Sequence, residues 1–221
     1  MANYKNLIPF IRLKEGGLSS AQTDNAKKNP SPCGKGNNGY SYHTNKGVTW
    51  LTFISNAKVL GYEPSCSNFI KMPNSIWELI YKKIYWDSIL GDKIMNQAIA
   101  NTFVEWAWGS GVSGALSDLK DFFKKAYNVE FKSIQEIVDF SNKLNQQGKT
   151  PELFESLYNY RIGDFKKLNQ PANIKGWLNR LSSFYSLNKP YALSKPQITS
   201  GIIIGALAIT FISYKIWKAN K

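Results

Sequence analysis

Apolar residues recur with a helical period over most of the first 187 positions. Tyr4, Leu7, Ile8 and Ile11 fall on one face of a helix that runs towards Glu15 and is stopped by Gly16 and Gly17. Thr49 is placed to cap a second helix carrying Leu51, Ile54 and Leu60, and Asn74 or Ser75 opens a third with Ile76, Leu79, Ile80 and Ile84 on one side. Residues 94–108 supply another. Ser133 with Glu136 forms a capping box, Gly148 closes the helix it starts, and Thr150-Pro151 opens the next, so the last two helices of this region are predicted over 151–168 and 173–187. Only residues 18–47 lack the period. Rich in Gly, Asn, Ser and Pro, they read as a long loop or a small irregular sheet. The predicted class is mainly α.

The pattern changes at the C-terminal end. Residues 198–214 carry no charge, include Ile202, Ile203, Ile204, Leu207, Ile209, Phe211 and Ile212, and extend through Trp217 to about 20 residues, enough to span a bilayer. Their apolar side chains go all round, and Gly201 and Gly205 suit a membrane helix. The predicted organisation is one domain over 1–187, a linker over 188–197 marked by Pro190 and Pro196, a transmembrane helix over 198–217 and a basic tail over 218–221. Attachment to a membrane by this single helix follows. Lys5, Arg12 and Lys14 interrupt the N-terminal apolar residues, so no secretory signal is expected.

Composition narrows the partners. The chain of 221 residues carries a formal charge of +13, and after Asp164 there are only basic residues among the charged ones. Such a surface is drawn to polyanions. Arg occurs only at Arg12, Arg161 and Arg180 and no nucleic-acid motif is present, so nucleic acid is not expected as a partner. Cys33 and Cys66, the only cysteines, have no zinc or redox spacing; a bridge between them and two free thiols are both compatible with the sequence. With His43 the sole histidine, neither a metal nor a cofactor is expected.

Chemistry gathers near the N-terminus. Glu15 ends an amphipathic helix beside two glycines, a pattern that also serves ordinary C-capping. Asp24 follows nine positions on in a loop, with the hydroxyls of Thr44 and Thr49 beyond it. An acid for the leaving oxygen and a second carboxylate for water or for the oxocarbenium charge are the parts needed to hydrolyse a glycosidic bond. The donor must be protonated near neutral pH, which calls for an apolar or anionic setting. Tyr40, Tyr42, Trp50 and Trp86 are candidates for that wall and for stacking on sugar faces, although core packing is the commoner role of each such aromatic. His43 stands where it could touch substrate. Thr49 has the competing role of helix cap.

Leu13-Lys14-Glu15-Gly16-Gly17-Leu18, then Asp24, then Thr44-Asn45-Lys46-Gly47-Val48-Thr49, resemble the N-terminal half of glycoside hydrolase family 108, phage and bacterial N-acetylmuramidases. Trp77 to Tyr81, Tyr85-Trp86, the stretch from Glu105 to Gly111, and Tyr160-Arg161 with Gly176-Trp177-Leu178-Asn179-Arg180 extend the resemblance to about residue 187. It implies a lysozyme-like helical fold, Glu15 as the catalytic acid, and peptidoglycan as substrate, cleaved at the β-1,4 bond between N-acetylmuramic acid and N-acetylglucosamine, in a phage endolysin or virion-associated lysin. Two departures stand out. An insertion over residues 25–42 separates Asp24 from the Thr-Asn-Lys-Gly segment, leaving Glu105 as the reserve carboxylate, and Gly109 stands where many members have Asn. The spacing of Glu15 and Asp24 is also similar to that in T-even phage lysozymes, which nominates Thr44 or Thr49 to position water. The alternatives are a catalytically inactive peptidoglycan-binding envelope protein and a lytic transglycosylase.

Overall fold

The computed structural model describes residues 1–168 and 170–194. A short 3₁₀ turn over Tyr4–Asn6 leads into α1 (Ile8–Lys14), whose Pro9 sits in the first turn, where its missing N–H costs nothing. Three two-residue strands follow, β1 (Leu18–Ser19), β2 (Thr44–Asn45) and β3 (Val48–Thr49), in an antiparallel sheet of order β1-β2-β3. The register sets Ser19 opposite Thr44 and Thr44 opposite Thr49. The segment without helical period is thus a small sheet with a looped insertion. Inside the insertion the disulfide Cys33–Cys66 ties the loop to the first residue of α3 (Cys66–Lys71).

Thr49 caps α2 (Trp50–Ala57) by accepting from the Thr52 N–H. Helix α4 (Asn74–Ile80) runs into a π-helical turn, Tyr81–Trp86, closed by Asp87 N–H donating to Lys82 C=O. Helix α5 (Gln97–Tyr127) is the axis of the domain, packed by α6 (Ile134–Gln146), α7 (Thr150–Lys167) and α8 (Pro171–Leu193). Every residue from Ala98 to Ala107 is buried, so this stretch is enclosed all round and its polar members, Asn101, Thr102 and Glu105, must be paired inside. At Gly111, φ +76 and ψ 158, the helix breaks; only glycine enters that region freely.

The membrane expectation is corrected. Among the described residues no helix is long and apolar enough to cross a membrane, and the predicted span, 198–217, lies outside the described residues. The C-terminal anchor and the localisation drawn from it are withdrawn. The linker expected from residue 188 also differs from what is found. Helix α8 continues through Pro190 to Leu193, and Asn188 is wholly buried, donating to Phe184 C=O and accepting from Asn101. Interior pairing outweighs the hydrogen bond that proline removes.

Candidate active site

Glu15 is the C-cap of α1, its N–H still donating to Ile11 C=O while its own backbone has turned extended. That turn swings the carboxylate across the molecule onto α5 and α8. Oε1 accepts from Trp108 Nε1 at 2.9 Å and from Arg180 Nη1 at 2.8 Å. Arg180 also donates through Nε to Glu105 Oε1 at 3.2 Å, so two carboxylates share one guanidinium. Burial works against the charge on Arg180, but Glu105 and Glu15 outweigh it and hold the group above its ordinary value. With a single proton on the two carboxylates the trio is neutral overall.

Trp108 is held in an aromatic cluster, 5.4 Å from Trp77, 5.8 Å from Tyr81 and 4.7 Å from Tyr85 between ring centroids. The π-helical turn supplies Tyr85 to this cluster. Burial pushes its phenol upward; the Thr52 hydrogen bond opposes that rise and the nearby Glu15 charge adds to it.

The other side of Glu15 is closed by the turn between β2 and β3. Lys46 (φ +48) and Gly47 (φ +78) both lie in the left-handed region, the geometry of a two-residue hairpin loop matched to strand twist. Asn45 Nδ2 donates to the carbonyls of Phe69 and Ile70, Lys46 Nζ to Met72 C=O, and Trp77 Nε1 to Lys46 C=O. These bonds press Gly47 onto the carboxylate. A Cβ at Gly47 would overlap Glu15 Oε2 and stand 2.8 Å from Trp108 Cζ2.

A groove of about 750 Å³ opens over this centre, lined by Glu15, Asp24, Thr44, Thr49, Glu105 and Trp108, and it continues past Arg180 to Arg161, Phe165 and Trp177. A second depression of about 210 Å³, also bordered by Glu15, is lined by Arg12, Lys46, Asn74 and Trp77. Glu15 therefore borders both recesses.

The predicted residues divide into two groups. Glu15, Asp24, Thr44 and Thr49 line one groove despite the insertion. Asp24 is fixed by capping a 3₁₀ turn, Oδ1 accepting from Ala26 N–H, and its side chain remains 42% exposed. The Thr49 hydroxyl is committed to α2, accepting from Thr52 N–H and donating to Thr52 Oγ1. His43 is wholly buried and cannot touch substrate directly. Trp86 is corrected: it is buried in the core, its Nε1 donating to Asp92 Oδ1. Trp50 packs on Phe53 and Phe69, Tyr40 is exposed at the tip of the insertion, and Tyr42 is bound by its backbone to Ser31 and Gly34; none lines the groove. Arg180 and Trp108 carried no predicted role. Both lie in stretches that carry the family resemblance, which marked the positions without giving them a task. Among the described residues no cluster of three or more His, Cys, Asp or Glu could hold a metal ion.

Residues 8–111 match the family described as Glycosyl hydrolase 108. None of the curated proteins matches the chain. The structure of Brucella abortus SagA is similar with a TM-score of 0.58 and 17% sequence identity, covering 86% of this chain and 96% of that one, a likeness of fold. The matched segment contains Glu15, Asp24, the hairpin turn, Glu105 and Trp108, so it is the part of the chain that builds this centre which matches the glycosyl hydrolase 108 family.

Proposed function

We propose that this protein is a lysozyme-type peptidoglycan hydrolase that cleaves the β-1,4 bond between N-acetylmuramic acid and N-acetylglucosamine. The observation that carries this reading is Glu15, held by Trp108 and Arg180 at the floor of a groove that also holds Asp24. With Oε1 occupied as an acceptor, Oε2, on the Gly47 side, carries the proton to the leaving oxygen. The C1–O bond breaks as that proton moves. Water forms the new bond to C1 and loses its proton to Asp24. Glu105 balances Arg180, so the guanidinium is not committed to Glu15 alone. The finer reading of a phage endolysin or virion-associated lysin rests on the resemblance of motifs.

Digestion of purified peptidoglycan tests this. The wild-type chain should release fragments with reducing N-acetylmuramic acid ends. Glu15→Gln, which keeps an acceptor for Trp108, should fold normally and lose about a thousandfold or more in rate. Fragments with 1,6-anhydro ends would establish a transglycosylase instead, and absence of any cleavage by folded wild-type protein would leave a binding role.

A further inference from the structure

Resting on the hydrolytic reading above, we propose that His43 is a positioning residue that fixes the direction of the Thr44 hydroxyl, and through it the attacking water. His43 is the single histidine of the chain and is completely buried. Its backbone is held on both sides, N–H donating to Ser19 C=O and C=O accepting from Trp50 N–H. Its ring links the two parts of the site that the insertion separates. Nε2 lies 3.1 Å from Ala21 C=O, the carbonyl that also accepts from Asp24 N–H, and Nδ1 lies 3.0 Å from Thr44 Oγ1.

The chemistry of the partners sets the tautomer. A carbonyl only accepts, so Nε2 carries the hydrogen, and in the neutral ring Nδ1 then presents a lone pair. The Thr44 hydroxyl has one hydrogen and spends it on Nδ1. What Thr44 offers the groove is therefore an acceptor. Asp24 Oδ1 already accepts from Ala26 N–H, and Oδ2 lies on the His43 side, 3.9 Å from Nδ1. A water between Thr44 and Asp24 must donate to both. Both its hydrogens are then taken, and its remaining lone pairs face the sugar. When the bond to C1 forms, the hydrogen directed at Asp24 passes to that carboxylate.

A double-mutant cycle on peptidoglycan fragments tests this with His43→Phe, Thr44→Val and the two combined. Each single change should lower kcat about tenfold or more while moving KM less than about twofold. The combined variant should lose no more than the worse single one, because the two residues act as one unit. Thr44→Ser should recover most of the kcat lost in Thr44→Val, and His43→Asn, whose amide oxygen can accept from Thr44, should exceed His43→Phe. If His43→Phe fails to fold, Thr44→Val and Thr44→Ser decide: wild-type kcat in folded Thr44→Val overturns the proposal, and a loss that serine rescues supports it. Multiplying losses in the cycle also overturn it. A chain in which Glu15→Gln is inactive but Thr44→Val is not refutes this inference and leaves the hydrolytic reading intact, whereas a wild-type chain that cleaves nothing refutes the hydrolytic reading itself.

Discussion

Gly47 faces two demands at once. Its φ of +78 belongs to a hairpin turn that L side chains rarely adopt, and the space a methyl group would fill is taken by Glu15 Oε2 and the Trp108 ring. Gly47→Ala is expected to cost about 1–3 kcal/mol of stability through backbone strain. Activity should fall further than that loss explains, since the carboxylate must move; thermal melts set beside cell-wall hydrolysis well below the melting temperature separate the two effects. Thr49 makes the opposite case. Its hydroxyl serves the N-terminus of α2, so Thr49→Ala should cost about 1 kcal/mol yet keep the rate within about threefold. A collapse in kcat with an unchanged melt would return the hydroxyl to the chemistry. At this scale the sequence singled out Glu15, Asp24 and Thr44, which the fold brings to one groove. The aromatic residues were not legible, because Trp86 inside the core and Trp108 beside the acid carry the same composition and differ only in where α5 and the π-helical turn place them.

Among the elements, the β2–β3 hairpin and the insertion before it decide where Asp24 stands relative to Glu15. The insertion has little core of its own and is held by backbone pairs such as Ser31 N–H to Tyr42 C=O and by the Cys33–Cys66 bridge. That bridge closes a loop of 33 residues, for which chain entropy predicts about 3–4 kcal/mol. Cys33→Ser with Cys66→Ser, or wild-type protein in reductant, should melt several degrees lower and lose activity before global unfolding, as the Asp24 turn loosens. Identical melting curves with and without reductant would show the bridge to be unimportant. Element ends were legible where a local side chain makes them: Thr49 and Ser133 accept the N–H bonds expected of caps, and Gly148 takes φ +73. The short helix α3, the π-helical turn and the length of α5 were not, since each depends on packing that no local window contains. The Glu15–Arg180 pair spans 165 positions and lies beyond any motif spacing.

For the whole molecule, the C-terminal end of α8 is part of the domain that builds the site. Arg180 leaves this helix to meet Glu15 and Glu105, and eight to twelve residues further on the same helix closes the start of α5, the helix that carries Glu105 and Trp108. There Asn188 Oδ1 accepts from buried Asn101 at 2.6 Å, Tyr191 C=O accepts from Asn96 Nδ2 at 2.9 Å, and Ala192 is buried. Asn96 in turn caps α5. A chain ending at residue 187 removes all of these partners and leaves the Asn101 amide in the core without its acceptor, which alone costs about 1–3 kcal/mol. A chain ending at residue 194 removes none of them. The expected result is a urea midpoint for 1–194 well above that of 1–187, with the shorter chain also losing rate because α5 is no longer held where Glu105 and Trp108 frame Glu15. Equal midpoints and equal rates would mean that the pairing of Asn188 with Asn101 adds nothing net, and that the domain closes before Pro190 as the proline pattern had suggested.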